Sequence, residues 1–306
     1  MPYPAYRGRF APSPTGPLHF GSLVAAVGSY LEARTHAGTW VVRMEDVDRT
    51  RVVRGAADAI LRTLDVYGFE WDGEILHQSR RDDAYAAALR RLEHRHALFP
   101  CVCTRREIAD SALSLQGEPV YPGTCRGGPA PGRPTRTIRV RVGDLTIALD
   151  DAVQGSFEQR LGSEVGDFVV RRTDGLFAYQ LAVVVDDAEQ GITNVVRGAD
   201  LLASTPRRIL LQRLLGVPTP RYLHLPVALN AAGEKLSKQT LARPLENAEA
   251  PAQLWNALRF LGQDPPADLA TGSVDELWTW ARTNWSAAAI PRLRSIPAPN
   301  TTPSAA

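Results

Sequence analysis

Residues 9–22 read RFAPSPTGPLHFGS, and this stretch decides the fold that we predict. A short strand, Arg7–Ala11, leads into a turn rich in proline and glycine, and a helix is then predicted over Leu18–Arg34. The first N–H groups of a helix lack intrahelical acceptors and the dipole is positive there, so anions bind at that end. His19 can donate to phosphate oxygens and Gly21 leaves room for a nucleotide. Taken alone, the HxG pattern also fits a connector with a capping histidine.

Strands and helices alternate on both sides of a central interruption, which predicts an α/β fold with a doubly wound parallel sheet. Thr39–Met44 is the second strand, and the acidic residues Glu45, Asp46 and Asp48 follow it. The other predicted elements of this fold are the helices Gly55–Tyr67, Asp82–His96, Ala178–Ala188 and Asp200–Leu215 and the strands Ile192–Val196 and Leu225–Leu229.

An inserted zinc-containing α+β module interrupts the alternation. It holds all three cysteines, and alternating apolar residues predict an antiparallel hairpin over Thr137–Leu149 that turns at Gly143-Asp144, with another over Phe168–Leu181. The predicted boundaries are 1–98 and 166–240 for the two halves of the nucleotide-binding catalytic domain, 99–165 for the inserted module, 241–294 for a short helical C-terminal region and 295–306 for a disordered tail.

Composition limits the class of protein. The chain has 306 residues, of which 44% are hydrophobic and 22% charged, as in ordinary globular proteins. No apolar run reaches the roughly 18–20 residues that span a bilayer, residues 1–9 lack the apolar segment of a signal peptide, and three cysteines make no disulfide framework. We therefore expect a cytoplasmic protein with no membrane contact. The formal charge of +2 neither identifies nor excludes a nucleic-acid binder.

Only two of the 35 basic residues are lysines, Lys235 and Lys238, and both lie in the segment KLSKQ. Arginine is a wide planar fork whereas lysine is a compact charge on a flexible stem, so this pair indicates a function that needs a compact ammonium. Two ammonium groups and the Ser237 hydroxyl on one loop suit a pyrophosphate leaving group. The alternative is a solvated basic turn, which the rarity of lysine disfavours.

Cys101, Cys103 and Cys125 lie within 25 residues, which in a cytosolic chain indicates a structural zinc site. Zinc takes four ligands, and no histidine lies between His96 and His224. The spacing leaves the fourth ligand open, and three buried thiols without metal are the alternative. The candidates for the fourth ligand are Tyr121, Glu107, Glu118, His94 and His96.

The order of these segments resembles the class I aminoacyl-tRNA synthetases, in which an HxG signature opens the helix after the first strand and a KxSK signature follows the last strand. RFAPSPTGPLHFGS and the segment RMEDVDRTR at residues 43–51 are similar to the glutamyl branch, and the resemblance extends from Arg7 to Gln239. Ser22 stands where the first signature usually has a second histidine, and the second signature reads KLSKQ rather than KMSKS.

The resemblance implies an enzyme that binds L-glutamate and ATP with Mg²⁺ at the head of the sheet and forms glutamyl-adenylate and pyrophosphate. Glutamate carries two carboxylates and one ammonium, so its pocket needs fixed cations and one carboxylate. The implied site residues are Arg9, Ser13, Glu45, Tyr179 and Arg197 for glutamate, His19, Gly21, Ser22 and Lys238 for ATP, His19, Lys235 and Lys238 for catalysis, and Cys101, Cys103, Tyr121 and Cys125 for one structural zinc.

The acceptor is predicted from the region after Lys238, which has 68 residues (306 minus 238). We expect no anticodon-binding domain there, because an independent domain usually takes about 100 residues. This feature and the altered signatures resemble the truncated paralogues of the glutamyl branch. That resemblance implies a monomer that activates glutamate without tRNA and transfers it to the queuosine of tRNA(Asp). Candidates for contacting RNA phosphates are Arg126, Arg133, Arg136, Arg139 and Arg141; alternatively they form a solvated face paired with Asp144, Asp150 and Asp151.

Three other functions stay open. They are an ordinary glutamyl-tRNA synthetase that charges a tRNA 3′ end, a small-molecule adenylyltransferase with a similar phosphate site, and a non-catalytic protein that binds tRNA or glutamate. An adenylyltransferase leaves the late KLSKQ segment, Glu45 and Arg197 unexplained. A non-catalytic protein leaves the two retained lysines unexplained.

Overall fold

A computed structural model describes residues 5–109, 120–236 and 242–299 of the protein. The strands are β1 Arg7–Phe10, β2 Thr39–Met44, β3 Leu76–His77, β4 Leu98–Cys101, β5 Thr137–Val140, β6 Thr146–Asp151, β7 Gly155–Arg160, β8 Val169–Arg171, β9 Asn194–Gly198, β10 Arg221–Leu225, β11 Val227–Leu229 and β12 Ser295–Pro297. The α-helices are α1 Phe20–Thr35, α2 Ala56–Val66, α3 Asp82–His94, α4 Arg105–Ala109, α5 Leu161–Glu164, α6 Tyr179–Glu189, α7 Thr205–Leu215, α8 Ala250–Phe260 and α9 Val274–Asn284.

Parallel strands form the centre of the fold. β1, β2 and β3 pair in parallel, as do β9 and β10. The Thr193 N–H, just before β9, donates to the Arg7 carbonyl of β1 at 3.0 Å and so links the two sets of strands. The mixed α/β content and the parallel pairing agree with the predicted class of fold. Because parallel strands present their carboxyl ends at one edge, the residues that follow β1 and β2 lie side by side.

Helix α1 packs against the parallel strands and the C-terminal helices. Its middle is buried all round, and a Cβ added to Gly28 would lie 2.6 Å from the Leu225 side chain, so a larger residue would require that side chain of β10 to shift. Tyr30 of α1 makes edge contacts with the rings of Trp40 and Trp278. This packing fixes the start of α1, and therefore His19, relative to the strands.

The inserted part is antiparallel, but its strands pair differently from our prediction. β5 pairs with β4 and β8, and β6 pairs with β7, so the hairpin predicted over Thr137–Leu149 is wrong. The two strands that pair with β5 are distant from it in the chain, whereas β6 and β7 are joined by a short turn. Gly155 ends this turn with a φ of 75°, in the left-handed region that favours glycine. The second predicted hairpin is a tight turn closed by one bridge between Arg171 and Phe177, after which α6 begins.

The C-terminal region is helical, with a capping box at the start of α9. Ser273 accepts from the Glu276 N–H while Glu276 accepts from the Ser273 N–H. The expected disordered tail is wrong for Ser295–Pro297, which pairs in parallel with β11; residues 300–306 lie outside the described residues. Backbone pairing to an internal strand fixes this segment despite its proline-rich composition.

The predicted domain boundaries stay predictions, although β8 lies in the sheet of the inserted part rather than with the residues that follow it. Among the described residues, no helix is long and apolar enough to cross a membrane.

Candidate active site and cysteine cluster

A cleft of about 610 Å³ lies at the carboxyl ends of β1 and β2, and we call it the sheet-edge cleft. It brings together six of the predicted site residues with the acidic and basic side chains of Asp48, Arg51 and Arg172. The predicted site residues that line it are Ser13, His19, Ser22, Glu45, Tyr179 and Lys235. Predicted site residues from four separate segments of the chain therefore share one cavity.

Backbone hydrogen bonds hold the proline-rich turn over the end of β2. The Glu45 N–H donates to the Pro12 carbonyl at 2.9 Å, and the Val53 N–H donates to the Pro14 carbonyl at 3.0 Å. His19 is the N-cap of α1 in an extended conformation, and its side chain does not cap the helix. The first turn of α1 lies beside the cleft, because His19 and Ser22 line it, and phosphate binding by its N–H groups stays a prediction.

Gly21 has a packing role at the start of α1. A Cβ at this position would lie 3.2 Å from the His19 ring and 3.6 Å from the Leu236 carbonyl oxygen. Glycine therefore lets the His19 ring and the start of the KLSKQ segment approach the helix. Gly21 does not itself line the sheet-edge cleft.

A buried charge cluster supports the cleft from below. Arg43 is fully buried, with its guanidinium 2.8 Å from Asp187 and 3.3 Å from Glu45. Arg9 donates to Asp187 at 3.2 Å and is also buried, so this predicted residue lies behind the cleft lining. Breaking one partner out of such a pair costs about 3–5 kcal/mol, which makes the cluster a rigid floor.

Charge and burial act against each other in this cluster. Burial raises the pKa of Glu45, although Arg43, the Tyr179 hydroxyl and Arg9 act to lower it. Burial alone would also raise the pKa of Asp187, but Arg9 and Arg43 outweigh burial and lower it. Burial of its hydroxyl end and the Glu45 carboxylate raise the pKa of Tyr179, which keeps the phenol protonated. Glu45 thus accepts from Tyr179 and faces a protonated hydroxyl.

Arg197 is held in a different buried network. Its Nε donates to His224 Nε2 at 3.0 Å, and its Nη2 donates to Thr205 Oγ1 at 2.7 Å. His224 Nδ1 in turn lies 2.6 Å from Asp151, which fixes the ring as a neutral donor to that carboxylate. The buried Nη1 of Arg197 has no hydrogen-bond partner in the described part of the chain. Arg197 does not line the sheet-edge cleft, but one of its donors stays available.

Of the two lysines, only Lys235 is among the described residues. Lys235 lines the cleft, is half-exposed, and pairs with Asp200 at 2.5 Å. Lys238 belongs to residues 237–241 and lies outside the described residues. Only the Lys235 part of the lysine prediction therefore has a structural counterpart.

The acidic residues after β2 have partners that we did not predict. Asp46 accepts from the Ser79 N–H at 2.8 Å, and Asp48 pairs with Arg172 at 2.6 Å. Arg49, which follows Asp48 in the sequence, pairs with Asp82 on α3 instead. Asp46 and Asp48 are therefore bound by residues that are distant in the sequence.

The three thiols form the cysteine cluster, defined by Cys101, Cys103, Cys125 and Tyr121. The sulfur atoms lie within 4.8 Å of one another, and the Tyr121 hydroxyl lies 3.5 Å from Cys101 Sγ and 3.8 Å from Cys103 Sγ. The Cys125 N–H donates to the same hydroxyl at 2.8 Å. Three sulfurs and one oxygen thus converge, which is the donor number of a tetrahedral zinc site.

The surroundings favour a thiolate at Cys101 and a thiol at Cys103. Burial alone would raise the pKa of Cys101, but hydrogen bonds from Tyr121 and Arg139 lower it to about 7. Burial raises the pKa of Cys103 to about 11. Among the alternative fourth ligands, Glu107 is bound by Arg133 at 2.8 Å, and Glu118 lies outside the described residues.

The arginines proposed for RNA differ in exposure. Arg139 is buried over the Tyr121 ring at 4.0 Å and donates to the Asp167 carbonyl, so it is unavailable to a phosphate. The alternative prediction paired these arginines with Asp144, Asp150 and Asp151. Arg126 instead forms an ion pair with Asp167, and Arg133 forms one with Glu107. The exposed members of the set are Arg126, Arg133, Arg136 and Arg141.

Sequence reasoning missed several buried charges of the site. Arg43 was interpreted only as a strand residue, and Asp187 only as a helix residue. The signal was present in the apolar run VVVDD at residues 183–187, because acidic residues inside an otherwise buried helix need cationic partners.

Comparison with known proteins agrees with this arrangement. The chain matches the family described as tRNA synthetases class I (E and Q), catalytic domain, over residues 5–285. Glutamyl-Q tRNA(Asp) synthetase of Dechloromonas aromatica is 63% identical over 289 residues, covering 94% of this chain and 96% of that protein. The protein of the same name from Aromatoleum aromaticum is 59% identical, covering 97% and 94%.

A solved structure gives the same result at greater distance. The crystal structure of a glutamate-tRNA synthetase from Elizabethkingia anophelis is 25% identical, with a TM-score of 0.77, and the match covers 95% of this chain and 67% of that one. The family match spans most of the chain and includes both halves of the sheet-edge cleft. The resemblance to the glutamyl branch is therefore confirmed: the chain belongs to the class I (E and Q) tRNA synthetase family and is a ligase of that family.

Proposed function

We propose that the protein activates L-glutamate with ATP and Mg²⁺ in the absence of tRNA and transfers the glutamyl group to the queuosine of tRNA(Asp). The observation that carries this proposal is the sheet-edge cleft, where the start of α1, the Glu45 carboxylate, Tyr179 and Lys235 share one cavity. The names of the relatives at 59–63% identity support the acceptor.

Glutamate suits the charges of this site. The Glu45 carboxylate binds the ammonium group of glutamate. Ser13 lines the same cleft. Its carboxylates are bound by cations and by the Tyr179 hydroxyl, with the open Nη1 of Arg197 as one donor. Arg9 acts from behind, where it holds Asp187 and balances the buried charge.

Activation needs positioning and electrostatic stabilisation rather than a protein nucleophile. One oxygen of the α-carboxylate attacks the α-phosphorus, and the bond to the oxygen that bridges to the β-phosphorus breaks. Glutamyl-adenylate forms, and pyrophosphate leaves; Mg²⁺ that accompanies ATP would neutralise part of the phosphate charge. His19, Ser22 and the N–H groups at the start of α1 stabilise the α-phosphate, while Lys235 and Lys238 stabilise the pyrophosphate.

Transfer completes the reaction. A hydroxyl oxygen of the queuosine cyclopentenediol attacks the carbonyl carbon of the adenylate, AMP leaves, and the hydroxyl proton is released. We propose that Arg126, Arg133, Arg136 and Arg141 contact the RNA phosphates, since these side chains are exposed on the inserted part.

We further propose that Cys101, Cys103, Cys125 and Tyr121 hold one structural zinc ion. The convergence of three sulfurs and a phenolic oxygen supports this ligand set. Apolar neighbours such as Phe99 and Val102 pack around the cluster. Zinc would fold the inserted part rather than take part in the reaction.

Exchange of labelled pyrophosphate into ATP, measured across a panel of amino acids without tRNA, tests the activation step. We expect exchange with glutamate alone. Exchange that appears only after tRNA is added would favour an ordinary glutamyl-tRNA synthetase, and exchange driven by a different small acid would favour an adenylyltransferase. Absence of exchange under every condition would leave the non-catalytic alternative.

A further inference from the structure

Arg208 is a buried cation next to the proposed glutamate site, and nothing above assigns it a role. It lies on α7, is only 2% exposed, and its guanidinium carbon lies 5.3 Å from the centre of the Tyr179 ring. It also lines a second cavity of about 470 Å³, which shares Tyr179, Arg172 and Leu201 with the sheet-edge cleft.

The hydrogen bonding of Arg208 differs from that of the other buried arginines. Arg9 donates to Asp187, Arg43 to Glu45 and Gln190, and Arg197 to His224 and Thr205.

Arg208 makes no hydrogen bond and no ion pair with any described residue, and its Nε is fully buried. Buried charges are normally paired, because an unpaired one loses its hydration without compensation. A guanidinium left in this state next to a cavity indicates an anionic ligand that is absent from the protein alone.

Local charge supports an anion rather than a neutral ligand. Glu45 and Asp187 are already compensated by Arg9 and Arg43, so Arg208 adds a positive charge that the protein does not balance. Its charge also acts to lower the pKa of both carboxyl groups, which places it within electrostatic reach of the cluster. The flat fork of a guanidinium matches a carboxylate, with two parallel hydrogen bonds.

The position of Arg208 selects one of the two substrate carboxylates. The α-carboxylate must reach the phosphate at the His19 end of the sheet-edge cleft. Tyr179 lines both cavities, whereas His19 lines only the first and Arg208 only the second. We propose that Arg208 binds the side-chain carboxylate of the amino-acid substrate and thereby sets the preference for glutamate over glutamine. This inference rests on the proposed activation of glutamate.

The test compares Arg208→Gln with the matched control Arg213→Gln, an exposed position on the same helix. Pyrophosphate exchange gives kcat and KM for glutamate, glutamine and ATP. For Arg208→Gln we expect kcat/KM for glutamate to fall about 100-fold, mainly through KM, since one charge-assisted contact is lost. The KM for ATP should stay unchanged, and the ratio of glutamate to glutamine activation should narrow by a similar factor. Arg213→Gln should match the wild type.

Arg208→Lys keeps the charge and loses the fork, so it reports even if Arg208→Gln does not fold. We expect its KM for glutamate to rise about tenfold, with the ATP KM unchanged. An unchanged glutamate KM in either folded variant overturns the role of Arg208 while leaving the proposed function intact. An equal rise in the ATP KM also overturns it, because the bound anion would then be phosphate. Wild-type protein that shows no glutamate-dependent exchange overturns both proposals.

Discussion

The sheet-edge cleft and the cysteine cluster both gather polar groups in the interior, but they differ in what remains available. Below the cleft, Arg43 and Asp187 compensate each other, while Arg197 and Arg208 have buried donors without acceptors among the described residues, and Arg208 lines an open cavity. In the cysteine cluster the sulfur and phenol groups contact one another under an apolar cover. The first arrangement suits a ligand that enters and leaves, and the second suits an ion that stays.

The difference also concerns rigidity. The groups around the cleft are fixed by strands and helices of the parallel core, so the protein folds around them before any substrate binds. The cysteine cluster lies at the end of β4 and in loops outside the strands and helices, where regular structure is short. We therefore expect substitutions in the cleft to change activity and substitutions in the cluster to change stability.

The largest effect should follow His19→Ala. We expect exchange to fall by about 10²–10³-fold, the scale for removing one donor to developing charge. Stability should change little, because the side chain does not cap α1. His36→Ala, at the other end of the same helix, is the matched control. Wild-type exchange in His19→Ala would contradict the assigned role.

Cys125→Ala should separate the two regions. We expect the loss of one zinc per chain by elemental analysis and a melting temperature lower by several degrees, because metal binding contributes to folding. Exchange at low temperature should stay within a few-fold of wild type. Val102→Ala, which thins the same apolar cover, should lower stability without changing the zinc content. Equal metal content in Cys125→Ala and wild type would remove this residue as a ligand.

A smaller effect should follow Asp151→Asn, because Asp151 acts on the substrate only through His224 and Arg197. We expect the KM for glutamate to rise about tenfold with an unchanged KM for ATP, since an acceptor is weakened rather than removed. The exposed neighbour Asp150→Asn should behave as wild type. A uniform loss of kcat for both substrates would indicate a purely structural role.

The smallest effect concerns acid stability. Burial alone would raise the pKa of Asp151, but hydrogen bonds from the His224 side chain and the Gln154 N–H lower it, and Arg9 and Arg43 likewise lower the pKa of Asp187. A lowered carboxyl pKa stabilises the fold above its unfolded value of about 3.9, and that contribution is lost as the pH falls through the folded value. We expect urea denaturation of Asp151→Asn to depend less on pH below about 4 than that of the wild type. Parallel curves would refute the linkage.

Short sequence patterns predicted the elements whose conformation depends mainly on neighbouring residues. The turn before His19 and the strand before Glu45 follow from proline, glycine and apolar spacing, and strand ends converge by topology. The pairing of β6 with β7 and of β12 with β11 was missed, because both depend on which edges the rest of the chain leaves open.

The buried charges show the same limit. The spacing of Cys101, Cys103 and Cys125 predicts a cluster, since few other functions explain three cysteines so close in the sequence. Nothing in the sequence distinguishes Arg208 from the exposed Arg213, because both are arginines on one helix and only packing against Tyr179 buries the first. Burial and the absence of a partner become visible only in three dimensions.

Transfer of labelled glutamate to tRNA(Asp) tests the central claim most directly. The RNA is prepared with and without queuosine, each with and without its 3′-terminal adenosine. We expect transfer to require queuosine and to be unaffected by removal of the adenosine. Transfer to tRNA(Glu) that disappears with the 3′ adenosine would contradict the account and establish an ordinary glutamyl-tRNA synthetase.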